Sequence, residues 1–269
     1  MSALTLTLKV ALQQRVDLSP LVPERLAGKS PVEIAALELA SGNRRLRVGD
    51  IFEIAGSDAS ELVIQGSCDR LDRIGQGMGC GRIVVDGDAG AYLGLDMRGG
   101  AIEVRGSVGA YAASRLEGGL IHIRGNAGDF LGAALAGEPR GMRGGTVIVE
   151  GSAGDRAGDR MRRGQVLIEG NAGCYCGSRM VAGTLAVLGQ VGEGPGFGMR
   201  RGTLLFASPP PLLPTFNECG VFDLGFLALL VSSWRGLPGR FATLPPRTRV
   251  RRYVGDMAGG GKGEILVWV

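Results

Sequence analysis

Short segments of alternating apolar and polar residues recur between glycines through the middle of the chain. Seven of them open with a glycine followed by an alternating run, which predicts short strands. Their first glycines are 19 residues apart, except for one step of 26. A constant period of this length predicts stacked repeats, each forming one coil of a solenoid. The segments are GRIVVDG (81–87), GAIEVRG (100–106), GLIHIRG (119–125), GTVIVEG (145–151), GQVLIEG (164–170), GTLAVLG (183–189) and GTLLFAS (202–208).

Two positions in every segment are apolar, the second and the fourth residue after the opening glycine. Residues two apart in a strand point to the same face, so stacking the repeats would form two continuous aliphatic ladders inside the solenoid. The second positions are Ile83, Ile102, Ile121, Val147, Val166, Leu185 and Leu204. The fourth positions are Val85, Val104, Ile123, Val149, Ile168, Val187 and Phe206.

A second glycine pattern, G-x-x-G-x-x-x-G, follows most strands and predicts tight corners where the backbone takes positive φ. One coil has Ala113 in the last glycine position, and the long step carries a seven-residue insertion close to residues 137–143. ELVIQG (61–66) indicates an earlier, less regular coil. The pattern reads Gly87/Gly90/Gly94, Gly125/Gly128/Gly132, Gly151/Gly154/Gly158, Gly170/Gly173/Gly177 and Gly189/Gly192/Gly196.

The repeats predict an all-β protein, a right-handed, single-stranded parallel β-helix of about seven to eight coils. A period of 19 does not fit the three six-residue sides of left-handed hexapeptide helices. Parallel crossovers also favour the right hand. We expect a small N-terminal α/β cap over residues 1–47, the β-helix over 48–207 and a C-terminal helix and strand tail over 208–269.

The flanking segments carry their own signals. LTLTLKV (4–10) predicts a strand, and a short helix is expected from Ser30-Pro31 with Glu33 in its first turn. GDIFEIAG (49–56) alternates and is expected to lead into the first coil. Beyond the prolines of ASPPPLLPTF (207–216), FDLGFLALLVSSW (222–234) predicts an apolar helix, and Glu264–Val269 predicts a strand.

Composition narrows the class of protein. The 48 glycines lack a G-X-Y period, which excludes collagen, and 45% apolar residues argue against disorder. A net charge of +4 does not by itself indicate nucleic-acid binding, and no segment is apolar enough for a signal peptide or a membrane span. Five cysteines without a secretory signal indicate reduced thiols, so we expect a cytoplasmic protein.

The glycine pattern is similar to that of the C-terminal β-helix domain of glutamate synthase. The whole layout more closely resembles the C subunit of formylmethanofuran dehydrogenase. Besides the coils, that resemblance rests on VGDIFEIAG (48–56) and on RRYVGDMAGGGKGEILV (251–267), and it covers nearly all of the chain.

The resemblance implies one of two settings. In methanogens the family belongs to a molybdenum or tungsten enzyme that fixes carbon dioxide onto methanofuran. In methylotrophic bacteria it belongs to a formyltransferase/hydrolase complex that moves formyl groups from tetrahydromethanopterin to a furan carrier. Either way, it implies that catalysis lies in other subunits: a formyltransferase subunit, an amidohydrolase-like subunit and a fourth subunit in the bacterial complex. Arginines outnumber lysines 27 to 3, which favours the bacterial setting.

No catalytic residue or metal ligand is predicted in this chain. His122 is the only histidine, and we interpret it as an exposed structural or interface residue. Cys174 and Cys176 form C-x-C in a corner, far from Cys68 and Cys80, and are interpreted as buried thiols because zinc and iron–sulfur sites normally need four ligands.

The outward middle position of the strands predicts a covered surface. It reads Val84, Glu103 and His122, and then four consecutive apolar residues, Ile148, Leu167, Ala186 and Leu205. An apolar strip of this kind requires a cover, either the C-terminal tail or a partner subunit. Both alternatives are open.

Arginines recur just before the strands, each time after a methionine, and form the candidate site. Stacked arginines repel one another unless acids pair with them. Asp155, Asp159 and Glu138 are candidates for internal pairing. The alternative is anion binding: the family's furan carriers bear glutamate chains, so the resemblance suggests contacts to a polyglutamate tail. The candidate residues are Arg143, Arg162, Arg163, Arg200 and Arg201.

The sequence therefore favours a non-catalytic scaffold subunit of a formyltransferase/hydrolase complex with a methanofuran-type carrier. The first alternative is the C subunit of a molybdenum or tungsten formylmethanofuran dehydrogenase, in which the metal–pterin would belong to the complex. The second is a stand-alone β-helix enzyme acting on polysaccharides. Low aromatic content, 5%, and the lack of a carboxylate cluster count against the second.

Overall fold

The computed structural model describes residues 2–269 and is predominantly β, which confirms the all-β expectation. The N-terminal elements are β1 (Ala3–Leu8), β2 (Val16–Asp17), α1 (Pro23–Leu26), α2 (Pro31–Ala35), β3 (Glu38–Ser41), β4 (Arg44–Arg47), α3 (Val48–Ile51) and β5 (Phe52–Ala55). The repeat region contains β6 (Asp58–Ser67), β7 (Leu71–Asp72), β8 (Arg82–Gly87), β9 (Ala101–Val104), β10 (Leu120–Ile123), β11 (Arg143–Val149), β12 (Arg163–Ile168), β13 (Thr184–Val187) and β14 (Thr203–Phe206). The C-terminal part contains β15 (Asn217–Asp223), α4 (Phe226–Ser233), β16 (Arg249–Gly255), β17 (Gly263–Trp268) and 3-10 helices at Arg240–Thr243 and Met257–Gly259.

One 13-stranded sheet contains the strands of all the repeats, in the order β15-β16-β17-β14-β13-β12-β11-β10-β9-β8-β6-β1-β5. Neighbouring strands from β1 to β17 in this order are all parallel. Ile102 pairs with Ile121, and Ile121 pairs with Val147, so the insertion does not shift the register. The predicted aliphatic ladders are present and buried.

A second line of contact joins the repeats at the corner after each strand. Small residues there form isolated parallel bridges from Ala89 through to Val191. Beside them, short polar side chains accept hydrogen bonds from the backbone of the next repeat, as when the Ser107 N–H donates to Asp88 Oδ1 at 2.7 Å. This polar ladder satisfies backbone donors at the corners. The accepting side chains are those of Asp88, Ser107, Asn126, Ser152 and Asn171, and the Gln190 N–H is the last donor.

The glycine that opens each strand is required by the close approach of neighbouring repeats. Gly164 has φ +92°, and a Cβ there would lie 2.7 Å from both the Gly145 carbonyl oxygen and Met142 Cε. Any side chain at this position would therefore clash with the preceding repeat. The methionines that fill this space form a third buried column, with one leucine: Met78, Met97, Leu116, Met142, Met161, Met180 and Met199.

The N-terminal part is joined to the repeats. Strand β1 pairs parallel with β6, and a small second sheet has the order β4-β3-β2-β7. Helix α2 begins at Pro31 as expected, with a capping box in which the Ser30 N–H donates to Glu33 at 2.8 Å.

The expected strand-like run at 49–56 needs correction in its first half. Residues 48–51 form the helical turn α3, because the Asp50 carboxylate accepts the Arg47 N–H at 2.8 Å and caps that turn. Only Phe52–Ala55 is a strand, and it pairs antiparallel with β1 instead of continuing into the first coil.

The C-terminal tail extends the main sheet and then covers it. Strand β17 pairs parallel with β14, and β16 and β15 follow in antiparallel order. Helix α4 and the 3-10 helix Arg240–Thr243 pack on the outward strip of Ile148, Leu167, Ala186 and Leu205 through Leu227, Val231, Trp234 and Phe241. The tail is therefore the cover that the apolar strip required. The partition at residues 47 and 207 stays a prediction.

Replacing Trp234 with alanine tests the role of this cover. Trp234 is fully buried, and its indole N–H donates to Gln165 Oε1. We expect Trp234→Ala to lower the free energy of unfolding by about 3–5 kcal/mol, measured by urea denaturation. Leu229→Ala, on the same helix but 75% exposed, is the control and should change it by less than about 0.5 kcal/mol. Equal losses in the two variants would contradict the assignment.

Candidate functional site

His122 is only 8% exposed, so the expectation of an exposed histidine is wrong. Its Nε2 is 2.8 Å from Glu150 Oε1. The expectation failed because it treated the middle strand position as outward and uncovered, whereas the Glu150 side chain of the next repeat packs against the imidazole. Nearby, the buried Glu169 carboxylate accepts the Arg240 N–H and holds the 3-10 helix.

The titratable groups under the tail do not form a metal site. No group of three or more His, Cys, Asp or Glu side chains within residues 2–269 is placed to hold a metal ion. Burial raises the pKa of Glu169, and the neighbouring Glu150 carboxylate raises it further. The arrangement is suited to fastening the tail.

All five cysteines are free thiols. Cys176 is fully buried, and burial raises its pKa to about 12, so its thiol is not a reactive thiolate. The interpretation as a buried thiol is confirmed for Cys176. It is wrong for Cys174, which is half-buried.

The arginines that follow the methionine column line two adjoining recesses on the outside of the stack. One, of about 460 Å³, is bordered by the Arg162–Arg163 pair and the Arg200–Arg201 pair, with Val181 and Ala182 of the intervening repeat between them. Repeats lie about 4.8 Å apart, so the two pairs stand roughly 10 Å apart across this apolar floor. The other, of about 330 Å³, shares Arg162, Val181 and Arg200 and adds Pro139, Arg160, Arg179 and Gly198. We call the two recesses together the arginine groove.

The four arginines of the larger recess lack internal counter-charges. Of the carboxylates in residues 2–269, none lies within 4.0 Å of a guanidinium nitrogen of these four residues. Arg162 Nε is moreover buried without an acceptor. Groups of like charge at this spacing favour the binding of an anion. The four are Arg162, Arg163, Arg200 and Arg201.

The acids considered for internal pairing do not contact the four arginines of the larger recess; Asp159 pairs with arginines of the smaller one. Asp159 receives two hydrogen bonds from Arg179, both at 2.9 Å, and Glu138 lies 3.7 Å from Arg115. Asp155 accepts the Cys174 N–H at 2.8 Å.

Arg143 differs from the other four candidates, because Glu117 pairs with it at 3.1 Å and neither recess includes it.

Sequence reasoning missed Arg160 and Arg179. Their spacing of 19 residues was the available signal, but they lie outside the methionine–arginine pattern.

Comparisons with known proteins give the family. No protein-family model matches the chain. A chain of the crystal structure of the formyltransferase/hydrolase complex (FhcABCD) from Methylorubrum extorquens, in complex with methylofuran, matches 98% of this chain and 99% of its own length, with 45% identity and a TM-score of 0.92. This chain belongs to the family of formylmethanofuran dehydrogenase C subunits. The resemblance found in the sequence is thus confirmed.

Curated members of this family align over shorter regions. The chain is 46% identical over 89 residues to the C subunit of the Methylorubrum extorquens formyltransferase/hydrolase complex, covering 33% of this chain and 34% of that protein. It is 38% identical over 95 residues to the C subunit of a tungsten-containing formylmethanofuran dehydrogenase 2 of Methanococcus maripaludis, covering 35% of each. The aligned regions span about a third of the length of these relatives.

Membership of this family accounts for the whole chain and argues against the polysaccharide hypothesis. Within residues 2–269, the helices are too short to cross a membrane.

The buried Glu169 predicts a pH-dependent stability. An ordinary glutamate has a pKa of about 4.3, and the raised pKa of Glu169 means that folding favours its protonated form. The stability that comes from protonated Glu169 is fully present below about pH 4 and is lost as the pH rises through the raised pKa of this group. Glu169→Gln keeps an acceptor for the Arg240 N–H without the charge. Its free energy of unfolding should therefore increase relative to the natural chain between about pH 4 and pH 7.

Urea denaturation at several pH values measures this difference. Glu193→Gln removes an exposed carboxylate and serves as the control for a change in net charge. A difference between the Glu169→Gln variant and the natural chain that stays constant with pH would contradict the prediction.

Proposed function

We propose that this chain is a non-catalytic scaffold subunit of a formyltransferase/hydrolase complex, which moves formyl groups between tetrahydromethanopterin and a furan carrier. The supporting observation is the likeness over nearly the whole chain to a chain of FhcABCD, a complex solved with methylofuran. Its partners are a formyltransferase subunit, an amidohydrolase-like subunit and a fourth subunit, and its location is the cytoplasm.

The proposed fold detail is a right-handed, single-stranded parallel β-helix. Two lines of parallel contact per repeat, one at the strands and one at the corners, support a closed coil. The right hand follows from the preference of parallel crossovers. Such a rod presents long lateral faces on which other subunits can dock.

We assign the arginine groove to the acidic tail of the carrier. A guanidinium binds a carboxylate in a forked geometry, and several such pairs in a row retain a chain whose single contacts are weak, about 0.2–1 kcal/mol each. Arg162, Arg163, Arg200 and Arg201 would make these contacts. Arg143 would contribute less, because Glu117 already pairs with it.

A second candidate is the C subunit of a tungsten or molybdenum formylmethanofuran dehydrogenase. The observation in its favour is the 38% identity to the C subunit of the tungsten enzyme over 95 residues. In that setting the chain would again be the scaffold, and the metal–pterin would belong to another subunit.

Purification of the tagged chain from its own host separates the two candidates. We expect formyltransferase-like and amidohydrolase-like subunits to co-elute, identified by mass spectrometry, without molybdenum or tungsten in metal analysis. Either metal together with a molybdopterin-binding subunit would favour the dehydrogenase. A chain that elutes alone as a monomer would contradict the scaffold role.

Removing charge from the groove tests the tail contacts. The double variant Arg162→Gln/Arg200→Gln should bind hexa-γ-glutamate about tenfold more weakly by isothermal titration calorimetry, and the loss should shrink at high salt. Arg44→Gln/Arg45→Gln removes the same charge from two exposed arginines of β4 and is the matched control. If both double variants lost the same affinity for the peptide, net charge alone would explain the effect, and the assignment of the tail to the groove would be contradicted.

A further inference from the structure

A column of residues with positive φ follows one corner of the stack, next to the arginine groove. Each member occupies the same place in its repeat, and none is a glycine until Gly194. A left-handed backbone conformation costs free energy in any residue with a side chain. Contacts of these side chains must therefore offset the cost. Its members are Arg73, Tyr92, Tyr111, Phe130, Arg156 and Tyr175, with φ between 59° and 63°.

The aromatic members of this column stack on one another. The ring centroids of Tyr92 and Tyr111 are 5.4 Å apart, and those of Tyr111 and Phe130 are 4.7 Å apart with planes only 3° from parallel. The Arg73 guanidinium covers the ring of Tyr92 at 5.0 Å. Arg156, the next member after Phe130, lies 4.9 Å over the ring of Tyr175. The aromatic stack therefore ends at Phe130.

A recess of about 350 Å³ opens where the stack ends. This is where the step between repeats is 26 residues, and the inserted segment forms one wall. The Arg160 side chain donates a hydrogen bond to the Glu138 carbonyl oxygen at 2.7 Å, which holds the inserted segment in place. Tyr111, Phe130 and Leu135 supply the apolar lining, and Arg156, Arg160 and Arg179 supply the basic wall.

The recess keeps a positive charge. Asp159 is its only acidic lining residue and is 3% exposed. It is satisfied by the two hydrogen bonds from Arg179 and one from the Ser178 hydroxyl at 2.5 Å. The arginines that line the recess therefore outnumber its single carboxylate, which leaves the recess with a net positive charge. Because Arg160 and Arg179 also line the arginine groove, the recess and the groove adjoin at these two side chains.

We infer that this recess is a subsite for a planar aromatic ring that carries or adjoins an anionic group. The ring extends the Tyr92–Tyr111–Phe130 stack, while the basic wall binds the anion and the groove takes any further acidic tail. Flat rings favour offset stacking, and guanidinium groups favour both aromatic faces and carboxylates. The tail part rests on the proposed function, whereas the ring contact stands on the recess alone.

Two capped peptides test the ring contact on the full chain. Tri-γ-glutamate with an N-benzoyl cap and with an N-cyclohexanecarbonyl cap have the same charge and similar apolar size, and differ in the flat π-system. Isothermal titration calorimetry should give the benzoyl peptide a Kd about fivefold lower. Phe130→Leu should bring the ratio of the two Kd values to about one. Tyr92→Leu, in the same column but outside the recess, should keep the fivefold ratio.

The outcomes separate the subsite from the tail contacts. Equal Kd values for the two caps in the natural chain, or loss of the ratio in Tyr92→Leu as well, would overturn the subsite and leave the groove assignment standing. Phe130-dependent binding of the benzoyl peptide, with no binding of uncapped hexa-γ-glutamate, would support the subsite and overturn the tail contacts. Failure of every peptide to bind would overturn both.

Discussion

The close approach of one repeat's backbone to the next is the constraint from which the other features of this structure follow. Parallel strands stacked about 4.8 Å apart leave no room for a side chain where the chain turns into each strand. Gly164, with the Gly145 carbonyl and Met142 Cε both 2.7 Å from where its Cβ would be, shows the restriction at one position. The same closeness lets Ser107 and its counterparts bond the backbone of the neighbouring repeat, so the corners are satisfied without water.

One outer strip of the stacked strands is apolar, and the C-terminal tail covers it. Helix α4 and the following 3-10 helix cover Ile148, Leu167 and their neighbours, with Trp234 at the centre. At the edge of this interface the Arg240 N–H of the tail donates to the buried Glu169, and the buried His122 lies beside Glu150. The tail is therefore part of the fold's stability as well as an extension of its sheet.

The arginine groove is a consequence of the same repeat. Before these strands a methionine fills the interior, and the two arginines that follow it line the outer surface. Two repeats with arginines, separated by one with Val181 and Ala182, form a basic groove with an apolar floor. The insertion before the Arg143 strand then adds a recess at one end, where the aromatic column stops. A stack of repeats built this way presents an arginine-lined surface that runs from one repeat to the next.

The repeat and the inward ladders could be predicted from the residues, because a strict period and strand alternation are local properties of a chain. The family was indicated by a resemblance that rests on the coils and on residues 48–56 and 251–267. The same period indicated that Arg162, Arg163, Arg200 and Arg201 share one face. The alternation along the strands indicated that Ile148 is covered, but it could not decide between the tail and a partner subunit, because the contact joins distant segments with no shared periodicity. The burial of His122 was not predicted. Three-dimensional packing also pairs Glu117 with Arg143 and turns Asp159 to Arg179, so no carboxylate of residues 2–269 lies within 4.0 Å of the four arginines of the larger recess. Such pairings depend on side-chain reach between neighbouring repeats, which spacing along the chain does not specify.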